Sequence, residues 1–159
     1  MNAEKTKFQG CWSGEEVASY LDRSLIPLRL AVHDSSGSPW VLSLWFLYEN
    51  GALWCATNAQ AKLISYLQAD AHCGFEVSGE TPPYKGIRGK GQATLVPERG
   101  GEILLRLLGR YGIDLESGLA KSLLAKVEQE VAVCITPSHI SSWDFSSRMV
   151  GATSAGCRT

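Results

Sequence analysis

Three groups of residues in this sequence have types and spacing suited to chemistry. In Cys55-Ala56-Thr57-Asn58-Ala59-Gln60-Ala61-Lys62, a hydroxyl ends an apolar, strand-like run and an ammonium follows within the first turns of a helix-like segment. A helix start carries free N–H groups and a partial positive charge, so Thr57 and Lys62 could together cradle a phosphate. The same residues could also do no more than cap the helix and face solvent. The second group is Lys85, Arg88 and Lys90, positive charge gathered on a glycine-rich strand that either receives a ligand or protects a sheet edge. The third is aromatic: Trp40, Trp45, Trp54, Trp143 and Phe145. Core packing accounts for most such rings, but Trp143 sits in the polar stretch Ser-Ser-Trp-Asp, where burial is less automatic.

Other chemistries find little support. The chain has no Gly-x-Ser-x-Gly, no His-Glu-x-x-His, no Walker loop and no Gly-x-Gly-x-x-Gly opening a helix. His33, His72 and His139 are dispersed, so no metal site is expected. The 5 cysteines are odd in number and never spaced as Cys-x-x-Cys, which fits free, mostly buried thiols in a reducing cytoplasm. With 15 Lys+Arg against 16 Asp+Glu, the net charge of −1 lacks the basic surplus of a general nucleic-acid binder. The longest apolar run, residues 40–48, is far short of the ~20 residues a membrane helix needs. The first residues are charged with no apolar stretch behind them, so no secretory signal is expected. At 159 residues and 45% hydrophobic content, one domain over 1–159 is the expectation.

The elements that must position these groups follow from periodicity and punctuation. An N-terminal segment, 1–24, is expected to be helical over 12–24, capped by Ser13 with Val17, Tyr20 and Leu21 on one face. A strand over 28–33 leads through turn residues 34–39 into an apolar run, 40–48, that reads as one strand buried on both faces. Asn50-Gly51 then turns the chain into a returning strand over 52–57. Further on, the pattern predicts a helix over 59–68 capped by Asn58, a strand over 72–77, a loop over 78–83, and a long strand over 84–96 with glycine bulges. Pro97 and Glu98 open a helix ending near Tyr111-Gly112, and a second helix spans 116–127. A last strand over 131–136 ends at Pro137, residues 141–148 are weakly ordered, and 146–159 form a flexible tail. Hairpins in place of strict strand–helix alternation exclude a doubly wound sheet. About six mostly antiparallel strands with flanking helices predict a mainly β fold, a small closed or partly open barrel.

The order of these segments resembles the pyridoxamine 5′-phosphate oxidase-like family of FMN-binding split β-barrels. The likeness rests on residues 27–33, 37–48, Asn50-Gly51, 53–57 leading to Lys62, 83–93, 131–137 and 140–143, together most of the chain. It implies a homodimer with two FMN sites at the subunit interface. The phosphate would be held by Thr57 and Lys62, and the flavin ring would lie along Ser43, Leu44 and Trp45 with Ala56 near by. Arg88 would contribute from the same or the partner subunit, and Trp143 would wall the pocket. Leu42, Leu47 and Gly86 stand where the family's vitamin B6 oxidases carry arginine, lysine and glutamine, and their C-terminal Arg-Leu-His-Asp-Arg motif is absent. The resemblance therefore implies a divergent, cytoplasmic oxidoreductase that uses FMN, or a related deazaflavin coenzyme, on some other small molecule. The alternatives are a non-enzymatic flavin, deazaflavin or haem binding or storage protein, and an empty barrel serving as an interaction domain. No side chain is singled out as a catalytic acid or base.

Overall fold

A computed structural model of the chain describes residues 6–151. The N-terminal segment is not helical throughout: Lys7–Gly10 form a strand, β1, before helix α1 (Gly14–Arg23) begins. Helix α1 starts where Ser13 allows it. The Ser13 hydroxyl accepts from the Glu16 N–H at 3.2 Å, and the Glu16 carboxylate accepts from the Ser13 N–H at 2.7 Å. This reciprocal capping satisfies two otherwise orphaned donors and holds the Glu16 carboxyl below its usual range. Val17 and Leu21 bury the inner face.

Strands β2 (Leu28–His33) and β3 (Pro39–Leu44) pair across a turn in which the Asp34 carboxylate accepts from the Ser36 and Ser38 N–H groups. The single strand expected over 40–48 is two strands. The chain leaves the edge of β2 at Trp45-Phe46 and resumes as β4 (Leu47–Glu49), which pairs with β5 (Ala52–Asn58). Asn50 and Gly51 take positive φ at the expected hairpin turn (52° and 79°). Nor is the run buried on both faces, because Trp40, Val41 and Ser43 are exposed. An unbroken apolar run cannot reveal such a bend. Here the bend drives Phe46 fully into the core, where the Arg110 guanidinium lies 5.5 Å from its ring.

Helix α2 (Lys62–Ala69) starts three residues later than expected. The Asn58 side chain accepts from the Gln60 N–H at 3.0 Å, a local turn, so the helix cap falls to Ala61 and not to Asn58. Strands β6 (His72–Ser78) and β7 (Lys85–Val96) follow, then helices α3 (Gly100–Arg110) and α4 (Gly118–Leu124), the latter shorter than the expected 116–127 because Ser117 caps it. The last strand, β8 (Glu130–Asp144), does not end at Pro137. The β7–β8 register shifts at Lys90/Gly91, so Pro137, which has no N–H to give, sits where the ladder is already irregular. Residues 141–144, expected to be weakly ordered, are part of this strand, and β1 runs parallel to it. Of the expected tail, Ser147–Met149 make a short 3-10 turn, and residues 152–159, with Cys157, lie outside the described residues.

The sheet order is β3-β2-β6-β7-β8-β5-β4, with β1 alongside β8. Among the described residues this makes eight strands, against about six expected, and every pairing is antiparallel except β1–β8. Strands β3 and β4 are the two ends of the sheet, joined only through Trp45-Phe46, so the barrel is split and not closed. Leu30, Phe46, Leu53, Val77, Ile87, Val133 and Ile135 fill its interior with no exposure. Ile103 and Leu107 of α3 pack against Ala132 and Trp54 on the outer side. Among the described residues, no helix is long and apolar enough to cross a membrane.

Candidate functional site

The split creates the site. Strand β5 pairs with β8 from Leu53 to Asn58, but β4 covers its other side only as far as Trp54. Residues Ala56–Asn58 are thus left without a strand partner on that side, and Ser43, Leu44 and Trp45 at the end of β3 stand across the gap. A cavity of about 490 Å³ lies between, lined by Ser43, Leu44, Trp45, Ala56 and Thr57 and closed by Leu104, Leu107 and Leu123 from α3 and α4. Trp45 makes a flat wall, stacked on Tyr111 with ring centroids 5.1 Å apart and an interplanar angle of 19°. The Phe46 N–H donates to the Tyr111 hydroxyl at 3.3 Å, and burial raises the phenol's pKa. Five of the eight expected site residues therefore meet in one cavity.

The other three do not line it. Lys62 is the first residue of α2, exposed, with Nζ 5.9 Å from the centroid of the Trp40 ring. Thr57 shares the cavity with Ser43 whereas Lys62 lies by Trp40, and Ser43 and Trp40 are three residues of β3 apart, about 10 Å by strand rise. No side chain caps α2; the Ile64 N–H donates to the Ala61 carbonyl at 3.0 Å, which leaves the Lys62 and Leu63 N–H groups to face a ligand at that end. Arg88 and Trp143 form a separate patch on β7 and β8, the guanidinium carbon 5.4 Å from the indole centroid. Arg88 also lines a shallow depression of about 750 Å³ shared with Arg29, Glu76 and Lys90. Glycines 86, 89 and 91 let neighbouring chain approach closely: a Cβ at Gly89 would meet the His139 carbonyl and the Phe75 ring.

Sequence reasoning passed over Glu130, which lines the same cavity as Thr57 with only 8% exposure. Opposite Asn58 in register, it lies under α3, whose Gly100 rests so closely on the Glu130 carbonyl that a Cβ there would overlap it. Burial raises the pKa of its carboxyl. The only local hint was a lone acid directly before an apolar strand. A second unforeseen cluster joins histidines that looked dispersed: Asp70 accepts from His72 Nδ1 at 2.8 Å and faces His33 Nδ1 at 3.2 Å. The backbone N–H of His72, then the two imidazoles, hold the Asp70 carboxyl at about 2. Among the described residues no group of three or more His, Cys, Asp or Glu could hold a metal ion. Cys55 and Cys73 are buried, with thiols pushed up by desolvation (Cys73 to about 11), which makes them poor nucleophiles. Cys11 is exposed.

No family model and no curated protein matches the sequence. Solved structures do match the fold. An F420 reductase shares 22% identity with a TM-score of 0.69 over 82% of this chain and 98% of its own. A conserved hypothetical protein from Mycobacterium tuberculosis shares 22% identity with a TM-score of 0.73 over 98% of both chains. An FAD-binding protein from Mesorhizobium loti shares 22% identity with a TM-score of 0.60 over 82% of this chain and 93% of its own. The fold is thus the split barrel that the order of segments implied, shared with proteins that bind flavin-type cofactors.

Proposed function

We propose that this chain is a flavin-dependent oxidoreductase of the split-barrel type, acting as a homodimer on a small molecule, with FMN or a deazaflavin coenzyme as its cofactor. One observation carries the reading: Ser43, Leu44, Ala56 and Thr57 of two strands, with Trp45 just beyond β3, converge on one cavity at the place where both strand edges lack partners. A planar, heteroatom-rimmed ring requires flat apolar walls and hydrogen-bonding groups at its edge. Trp45 backed by Tyr111, with the leucines of α3 and α4, supplies the walls. The unpaired backbone of β5 and the Thr57 hydroxyl supply the edge. A phosphate requires positive charge, which Lys62 and the uncapped start of α2 offer farther along β3. The residues present therefore fit the group.

When bound, such a cofactor carries two-electron chemistry; the chain binds it, orients it and keeps water from it. Dimerisation finds support in β3, an edge strand whose Trp40 and Val41 are 40% and 64% exposed, since isolated proteins seldom leave an apolar edge uncovered. In a dimer the Arg88–Trp143 patch, idle in its own barrel, becomes available to the neighbouring cavity. The test is direct. The purified protein is incubated with FMN or a deazaflavin, and retained cofactor is read from the visible spectrum after gel filtration. The expected result is about one cofactor per chain, released on denaturation and reducible by a nicotinamide donor. A colourless protein that quenches the fluorescence of neither cofactor would overturn the reading.

A further inference from the structure

The cavity is apolar and uncharged but for one residue. Around Glu130, β5 presents Thr57 and Asn58, β3 presents Ser43, α3 presents Leu104 and Leu107, and α4 presents Leu123. The charged residues nearest in sequence, Lys126 and Glu128, are exposed. Among the described residues no side chain hydrogen-bonds or ion-pairs with the Glu130 carboxyl. An unpaired carboxylate in such a place is costly, and the neutral acid, a hydrogen-bond donor, is not. Gly100 of α3 is seated on the Glu130 carbonyl, which fixes the backbone at this position.

We propose that Glu130 is the hydrogen-bond donor of the cavity: its carboxyl donates to an uncharged acceptor on the ligand at the Thr57 end. The inference rests on the flavin reading and refines it. It orients the cofactor, with the ring edge at Thr57 and Glu130 and the phosphate toward the positive charge of Lys62, near Trp40. Burial favours the protonated form, consistent with the raised pKa of this carboxyl. Ligand affinity should then fall as pH rises and the donor proton is lost.

Riboflavin, which lacks the phosphate, is the probe. Its binding to the apoprotein is followed by fluorescence quenching between about pH 5 and about pH 9. The wild-type affinity is expected to drop about tenfold across that range, the worth of one hydrogen bond. Glu130→Gln, whose amide donates at every pH, is expected to bind riboflavin with no such drop. Infrared spectroscopy of wild-type apoprotein carrying isotope-labelled glutamate reads the buried carboxyl without any ligand or variant. A protonated carboxyl near neutral pH supports the proposal, and its absence overturns it. Riboflavin binding that is independent of pH and identical in Glu130→Gln would overturn this inference and leave the flavin reading standing. A wild-type protein that binds neither flavin nor deazaflavin would overturn both.

Discussion

On the flavin reading proposed above, Lys62 serves the phosphate and Glu130 the ring edge of the ligand. The Lys62 ammonium lies over Trp40 and, among the described residues, pairs with no carboxylate, so its charge is uncommitted. Replacing it with Ala is expected to weaken FMN retention about ten- to a hundredfold, the scale of a charge-assisted hydrogen bond, and to leave riboflavin binding unchanged. Fluorescence titration of both ligands checks this; equal losses for the two would remove Lys62 from the phosphate site. Thr57 and Lys62 stand out in the sequence because a hydroxyl and an ammonium at a strand-to-helix junction are a local pattern, but of the two expected to share a phosphate only Thr57 lines the cavity, while Lys62 lies by Trp40. Glu130 does not stand out, because its burial depends on Gly100 folding over it from 30 positions upstream. Asp70 and its two histidines were likewise invisible, since His33 reaches it only after β2 and the end of α2 come together.

Among the elements, β7 carries the sharpest requirement for small residues. At Gly89 a Cβ would run into both the His139 carbonyl of β8 and the Phe75 ring of β6. Gly89→Ala is therefore expected to destabilise the fold by about 1–3 kcal/mol, the usual cost of overpacking, measured by urea denaturation. A variant as stable as the wild type would show that the sheet yields there at no cost. The glycines were read correctly as marking a bulge or a close approach, and the bulge is at Lys90/Gly91. What period and composition could not reveal was where β8 stops. Pro137 reads locally as a terminator, and only the facing irregularity in β7 lets the strand continue through it. Strand β1 has no such local signal for a similar reason: four exposed residues with no apolar alternation are held by pairing with β8, a partner far off in sequence.

At the scale of the whole molecule, an apolar, unpaired edge at β3 makes association the expected state. Light scattering at low micromolar concentration should report a dimer, and Val41→Glu should shift it to monomer with its far-ultraviolet dichroism intact. Cofactor retention should fall with the dimer if the neighbouring Arg88–Trp143 patch completes each site. A wild-type protein that scatters as a monomer would remove the interface. The split barrel itself was legible because hairpins, turn residues and the absence of strict strand–helix alternation survive in one dimension. The division of residues 39–49 between two sheet ends was not, since it depends on how the whole sheet curls and not on any local pattern. That division has a consequence for how such a chain can diverge. Leu44 is registered against Leu28 on one side and Leu47 against Trp54 on the other, with two residues between them. An insertion or deletion of a single residue there would reverse the facing of one end or the other. A change of length in this chain is therefore expected to be tolerated in the turn after β2 or the loop before β7, and not at the joint at 45–46.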